Sequence, residues 1–147
     1  RIAHPAYVSE ARAVAVDPGA QVTLNAALLP DAPWAALGIT AYTMTMRPGE
    51  ARQGRMTIAN GGPEPLRFAV SVDAGAEWLA VSPMEGTVPP YGAQPLSLQF
   101  DGAAFDAYGW HETEIAITSN DPEAPVLRLP VRLGTLRLTQ LPVLKRK

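Results

Sequence analysis

Hydrophobic side chains recur at every second position along several stretches of the sequence, and this spacing constrains the fold more than any other feature. Neighbouring side chains of a β-strand point to opposite faces, so each stretch has one apolar face and one mixed face. Two antiparallel sheets with such faces bury them against each other, which predicts an all-β sandwich. The alternating apolar residues are Met56, Ile58, Leu66, Phe68, Val70, Val72, Leu96, Leu98, Phe100, Ile115, Ile117, Leu127, Leu129, Val131 and Leu133.

Glycine, proline and asparagine residues lie between these stretches and predict turns at residues 60–63, 82–86, 89–92 and 119–122. Apolar strands separated by such turns are typical of an immunoglobulin-like antiparallel β-sandwich of about seven strands. Pro130 lies inside an apolar stretch. Because proline has no N–H group for a sheet ladder, we expect this part of the strand at an edge or a bulge.

The first part of the chain has a weaker pattern. Residues 7–8, 11–16 and 21–25 predict two or three short strands, with a hairpin turn at residues 17–19. Pro30 and Pro33 then interrupt the pattern. We therefore expect a β segment over residues 1–34 and the sandwich over residues 35–147. The segment is too short for its own core, so it docks on the sandwich or ends a truncated domain.

The composition excludes several classes of function. The 12 basic and 14 acidic residues give a net charge of −2, which provides no electrostatic basis for binding nucleic acid. No run of about 18 apolar residues occurs, which predicts no membrane insertion. The chain has no cysteine, and this excludes disulfides, thiol catalysis and cysteine-ligated metals.

The sequence contains no recognisable catalytic arrangement. His4 and His111 are its only histidines, and no Gly-x-Ser-x-Gly elbow is present. We therefore predict that the protein is not an enzyme and has no catalytic residue, no metal site and no cofactor. Calcium binding at Asn120–Asp121 or at Asp101 and Asp106 is an alternative, but no Asp-x-Asp-x-Asp-Gly loop supports it. Side-chain to backbone hydrogen bonds that lock the 119–122 turn are the favoured interpretation.

Aromatic residues are the remaining candidates for binding. We expect Trp78 to be a core residue, since an indole ring supplies a large apolar area. Tyr91, Tyr108 and Trp110 lie at loop or strand ends and are candidates for contact with a carbohydrate or a protein. Trp34 lies at the predicted boundary, so we expect it to pack against a neighbouring domain.

Residues 39–133 resemble the bacterial immunoglobulin-like repeats related to the abnormal-spindle/hydin (ASH) sandwiches. The resemblance is carried, in family order, by the segments TIANGG, WLAVSPMEGTV and ITSNDP. One departure is Gly109-Trp110-His111, where the family commonly has Gly-x-Tyr, so His111 occupies the tyrosine position. The resemblance implies structural roles for Asn60, Gly61, Trp78, Gly86, Asn120, Asp121 and Pro122.

The segments HPAY at residues 4–7, PG at residues 18–19 and VTLNAAL at residues 22–28 follow one another in the first part of the chain. On these segments, residues 2–30 resemble the final strands of a carboxypeptidase-regulatory-like (prealbumin-like) domain. Both families are accessory modules, which implies a non-catalytic spacer or stabilising domain that contacts neighbouring domains of the same chain. The chain begins at Arg1, and we expect it to be a fragment of a larger exported bacterial protein, at the cell surface, outside the cell or in the periplasm. The alternatives are a carbohydrate- or protein-binding module with exposed aromatics, and an ASH-like intracellular scaffold that binds a partner along an open strand edge.

Overall fold

The protein is built from strands, as the alternating pattern requires. The structure, a computed structural model, describes residues 2–4, 7–11, 13–15, 17–19, 21, 23, 31–105 and 108–136. A 3₁₀ helix lies at Gly102–Ala104, and no helix within these residues is long and apolar enough to cross a membrane. The strands are β1 Ile2–His4, β2 Tyr7–Glu10, β3 Ala35–Leu37, β4 Tyr42–Met46, β5 Ala51–Asn60, β6 Leu66–Val72, β7 Leu79–Ser82, β8 Glu85–Val88, β9 Ala93–Asp101, β10 Gly109–Ser119 and β11 Val126–Thr135.

Two sheets form a sandwich, which confirms the predicted fold class. One sheet has the strand order β4-β11-β10-β6-β8 and the other has the order β3-β5-β9-β7. All pairs are antiparallel except β4 and β11, which run parallel. The described residues form nine sandwich strands rather than about seven. The additional strands include β3 and β8, which are too short, at three and four residues, to show an alternating pattern.

The core lies between the two sheets and contains most of the residues that the alternation placed inward, although Val72 and Leu127 are only half-buried. Four strands, β5, β6, β9 and β10, contribute Met56, Ile58, Leu66, Phe68, Val70, Leu96, Leu98, Phe100, Ile115 and Ile117, all buried. The last strand, β11, contributes Leu129, Val131 and Leu133. Burial of this apolar surface is the main favourable contribution to folding.

Pro130 lies where β11 has a single neighbour, in agreement with the edge position expected for it. The Ser119 N–H donates to the Pro125 carbonyl, so odd-numbered residues of β11 bond to β10 and even-numbered residues face the other side. Pro130 therefore directs its nitrogen away from β10. The parallel ladder to β4 begins only at the next residue, Val131, so the missing N–H interrupts no bond.

The N-terminal segment differs from its predicted strands. β1 and β2 pair with each other in an antiparallel arrangement. Residues 11 and 13–15 lie outside any strand and are exposed, so the strand predicted over residues 11–16 is wrong in its described part. That stretch is rich in alanine, which has a low β propensity. Pro18 and Gly19 form a turn, with Gly19 at a φ of 89°.

Gly86 lies at a position that has no room for a larger residue. It lies directly opposite Phe68 in the β6–β8 ladder. A Cβ atom at residue 86 would be 2.9 Å from Cζ of Phe68, whose ring is buried in the core. The ring therefore occupies the space above the glycine backbone, which explains the structural role that the resemblance implied for this residue.

We predict that Gly86→Ala lowers the free energy of unfolding by about 1–3 kcal/mol, because the added methyl overpacks a filled core. Gly75→Ala is the matched control, since a Cβ atom at Gly75 would meet nothing within 4 Å. The control should change stability by less than about 0.5 kcal/mol. Urea unfolding measures both variants, and equal stability of the two would contradict the prediction.

Candidate functional site

The chain enters the sandwich at Trp34, and its backbone is fixed there. Trp34 continues the β3–β5 register and lies opposite Gly61, whose N–H donates to the Trp34 carbonyl at 2.8 Å. The loops at residues 60–65, 89–92 and 120–125 surround this point. We call this the entry end of the sandwich. The chain leaves β11 beside Met46, at the opposite end, which we call the exit end.

Asn60 joins three segments at the entry end. Its side chain is 2% exposed. Oδ1 accepts hydrogen bonds from the Trp34 N–H at 3.1 Å and the Gly62 N–H at 3.0 Å. Nδ2 donates to the carbonyls of Glu64 at 2.7 Å and Pro89 at 3.2 Å. The amide therefore uses donor and acceptor together, a combination that aspartate or leucine could not supply at this position.

Asp121 joins the two sheets. Its carboxylate is 2% exposed, and Oδ2 accepts the Ala35 N–H at 2.8 Å. Oδ1 accepts the N–H groups of Glu123 at 2.8 Å and Ala124 at 3.2 Å. Because β3 is an edge strand and Trp34 bonds to β5, the Ala35 N–H faces the open side of its sheet. These three hydrogen bonds offset the cost of burying a carboxylate.

Asn120 fastens the same loop to β6. Its Oδ1 accepts the Arg67 N–H at 2.7 Å, and its Nδ2 donates to the Pro65 carbonyl at 3.2 Å. Pro122 follows Asp121 on the surface of this turn. The 119–122 segment thus has side-chain to backbone bonds of the kind that the sequence favoured over calcium. No group of three or more metal-ligating side chains occurs among the described residues, and Asp106 lies outside them.

Both exposed tryptophans cover a glycine on the neighbouring strand. Trp34 is 56% exposed, and a Cβ atom at Gly61 would be 2.5 Å from its Cε3 atom. Trp110 is 48% exposed and lies opposite Gly134, where a Cβ atom would be 2.8 Å from its Cζ3 atom. An aromatic ring that shields the backbone of a cross-strand glycine stabilises a sheet. One face of each ring therefore has a structural role.

Arg132 adds a second contact to Trp110. Its guanidinium carbon lies 4.4 Å from the centre of the Trp110 ring, within the range of a cation–π interaction. The Arg132 Nε also lies 2.9 Å from Oε1 of Glu112. Gly134 and Arg132 were not predicted from the sequence. The antiparallel register places both residues across from the strand that carries Trp110, and no local sequence pattern shows this register.

The four aromatic candidates form two groups rather than one. Tyr91 is exposed at the entry end, where its N–H donates to the carbonyl of Gly62, the residue after the Gly61 that pairs with Trp34, at 3.2 Å. We call Trp34 and Tyr91 the entry patch. At the exit end, Tyr108 continues the register opposite Leu136, two positions from Trp110, and all three are exposed. We call Tyr108, Trp110 and Leu136 the exit patch.

Trp78 and His111 are buried or half-buried rather than exposed. Trp78 is buried, and its ring centre lies 6.3 Å from Phe100 and 5.8 Å from Phe105. His111 is half-buried and stacks on Phe105 at 3.7 Å between ring centres, with Nε2 3.4 Å from Thr135 Oγ1. The side chain of His4 lies outside the described residues. His111 therefore contributes to packing at the exit end.

An open groove of about 560 Å³ crosses the outer face of the four-stranded sheet. Its polar lining includes Arg52, Gln53, Glu77, Gln99 and Asp101. Nearby, Glu50 accepts the Arg47 N–H at 2.9 Å and pairs with Arg52. The backbone bond from Arg47, followed by the bond from Arg52, lowers the pKa of the Glu50 carboxyl below its usual value. The ion pair is a surface feature.

Comparison with known proteins identifies the fold. The chain matches no protein-family model and no curated protein. Among solved structures, the ASH/PapD-like domain 7 of human CEP192 is 15% identical, with a TM-score of 0.60 over 86% of this chain and all of that domain. The periplasmic chaperone SfaE is 14% identical, with a TM-score of 0.58 over 74% of this chain and 60% of that one. The protein has an ASH/PapD-like β-sandwich fold.

A bacterial structure is also similar to the chain. A protein of unknown function from Porphyromonas gingivalis W83 is 27% identical, with a TM-score of 0.62 over 69% of this chain. This chain covers 46% of that protein, or about half of its length. The resemblance to ASH-like sandwiches is therefore supported at the level of the fold. Membership of the bacterial repeats with the Ser-Asn-Asp-Pro signature stays a prediction.

We predict that Asp121→Ala lowers the free energy of unfolding by about 3 kcal/mol, because it leaves the buried Ala35 N–H without an acceptor. Asn120→Ala is the control, since its bonds are exposed to water, and it should cost about 1 kcal/mol. Hydrogen exchange adds a local readout. The Ala35 amide should lose protection in Asp121→Ala and keep it in Asn120→Ala, and unchanged protection in both would contradict the assigned role of Asp121.

Proposed function

We propose that the protein is a non-catalytic structural and interaction module that holds neighbouring domains of the same chain at a fixed distance and angle. The observation that carries this proposal is the position of the exposed aromatics. They lie at the two ends, where the chain enters and leaves the sandwich, and each end is where a neighbouring domain would make contact. Exposed aromatic side chains beside such joints are suited to packing against another domain.

The backbone at the entry end supports a fixed angle. The Asn60 side chain accepts the N–H of Trp34, and the Asp121 side chain accepts that of Ala35, so two buried side chains from separate segments hold consecutive residues. A strand as long as β11, with ten residues, spans about 30 Å. The sandwich therefore separates the segments before Trp34 and after Leu136 by roughly this length.

The proposed setting is a larger exported bacterial protein, at the cell surface, outside the cell or in the periplasm. The similarity to the Porphyromonas protein and the resemblance of residues 39–133 to bacterial repeats support this setting. The N-terminal segment over residues 1–34, with its resemblance to a prealbumin-like domain, would be one of the neighbouring parts. Its contact with the entry patch is part of the proposal.

The open edge of β4 favours a second candidate, an ASH-like scaffold that binds a protein partner. Among the residues that the structure describes, β4 is the terminal strand of its sheet, and a partner could add a strand along it through main-chain hydrogen bonds. Carbohydrate binding is less favoured, because the exposed aromatics are divided between the entry and exit patches instead of forming one stacking surface.

Electron–electron distance measurements between two spin labels test the spacer proposal. The chain has no cysteine, so Asp17→Cys and Gln99→Cys create the only two attachment sites. Both positions are exposed, one before the joint and one on the sandwich. We predict a single narrow distance distribution, because the proposal requires a fixed joint in which Trp34 packs against the preceding segment.

Trp34→Ala should broaden this distribution, because it removes the ring of the entry patch. Met84→Ala is the matched control, since Met84 is also half-exposed and apolar but belongs to neither patch. The control should leave the distribution narrow. A broad distribution in the labelled protein without further substitution would refute a fixed joint.

A further inference from the structure

The parallel pairing of β4 with β11 has a mechanical consequence. β4 is the first strand of its sheet and β11 is the last strand of the sandwich. Tyr42–Met46 pair with Val131–Thr135 in continuous register. The chain reaches β4 from the entry end and leaves β11 at the exit end. Tension between the two ends therefore pulls these strands in opposite directions along their common axis.

This direction of pulling is the one that hydrogen-bonded strands resist most. When two paired strands slide past each other, all ladder bonds between them are strained at once. When the strands are pulled apart from the same end, the bonds break one after another. For a parallel pair, tension at opposite ends produces sliding, because the start of one strand and the end of the other lie at opposite ends of the ladder.

The ladder itself is shielded from water on its inner side. The Leu136 N–H donates to the Met46 carbonyl at 2.9 Å, so the even-numbered residues of β4 bond to β11. Met46, Val131 and Leu133 are buried beneath these bonds. Water competes poorly for hydrogen bonds in such surroundings. On the outer face, Trp110 lies across Gly134 at the exit end of the ladder.

The entry end is strengthened in the same direction. Force that arrives through residue 33 first meets the Trp34 and Ala35 bonds to Gly61, Asn60 and Asp121. Asp121 belongs to the loop that begins β11, and Asn60 ends β5. The polar bonds thus connect the entering backbone to both sheets, and force is distributed over the sandwich before it reaches the β4–β11 ladder.

We infer that this domain carries tension between its neighbours, with the β4–β11 ladder as the element that resists extension. The inference rests on the proposed spacer function, and it adds the physical task that the spacer performs. The observation that supports this task is that the β4–β11 pair joins the part of the chain nearest the entry end to the part that leaves at the exit end, so tension between the neighbours loads this ladder in sliding.

Single-molecule pulling in two directions tests the inference without disturbing the ladder. In the first geometry, handles are attached at the two chain termini, and the β4–β11 pair slides. In the second, one handle is at the N-terminus and the other at Glu123→Cys, an exposed position just before β11 at the entry end. There the two strands are pulled from the same end.

We expect the unfolding force to be roughly twofold or more higher in the first geometry, because the ladder bonds are strained together. Equal forces, or a higher force in the second geometry, would overturn the inference.

Two variants separate mechanical from thermodynamic stability. Met44→Pro removes an N–H that faces β11 and should reduce the unfolding force between the termini. Gly86→Ala disturbs β8, at the opposite edge of the sheet from β4, so it should lower stability in urea and leave that force unchanged. Equal loss of force in both variants would contradict the inference. If Met44→Pro does not fold, the comparison of pulling directions decides by itself.

The spin-label experiment is independent of the pulling experiment. A narrow label distribution with equal forces in both directions would leave a rigid spacer that carries no tension. A broad label distribution with a direction-dependent force would leave a tension-bearing link without a fixed joint. The two proposals can therefore fail separately.

Discussion

The buried carboxylate of Asp121 is the interaction on which the arrangement of the two sheets depends. It accepts an N–H group from the edge strand of one sheet and two from the loop that begins the last strand of the other. An apolar residue here would leave the Ala35 N–H unsatisfied in the interior, and buried donors without acceptors are costly. Hydrophobic burial holds the two sheets together, whereas the hydrogen bonds of Asp121 and Asn60 determine how the sheet edges align at the entry end.

Glycines opposite aromatic rings form a second system of constraints. Phe68 covers Gly86 inside the core, whereas Trp34 and Trp110 cover Gly61 and Gly134 on the surface. The aromatic ring that covers a glycine is therefore buried in one of these three pairs and half-exposed in the other two. An exposed tryptophan in this sandwich is consequently both a structural element and part of a surface, and its exposure alone does not identify a ligand site.

The sandwich could be predicted from the sequence because the alternation of apolar and polar residues shows which face of each strand is buried. Ile58, Leu98 and Ile117 are buried as expected. The edge strand β3 could not be predicted, since its three residues are too few to show a period. The polar residues 120–121 could be assigned to a turn, but the bond from Asp121 to Ala35 joins residues distant in sequence. Likewise, no local pattern indicates that Gly134 lies beneath Trp110, because that depends on register.

Pro130 lies at the point where β11 has no pairing with β4, close to where the chain crosses from one sheet to the other. Its nitrogen faces the side of β11 on which β4 lies, and a strand that continued towards the entry end would find no donor at that position. The β4–β11 ladder therefore gains no hydrogen bond from residue 130. The chain crosses between the sheets at residues 38–41, and β3, which precedes the crossing, is the edge strand of the opposite sheet. A single imino acid near the end of the domain thus disfavours further pairing of the early strand β4 towards the entry end.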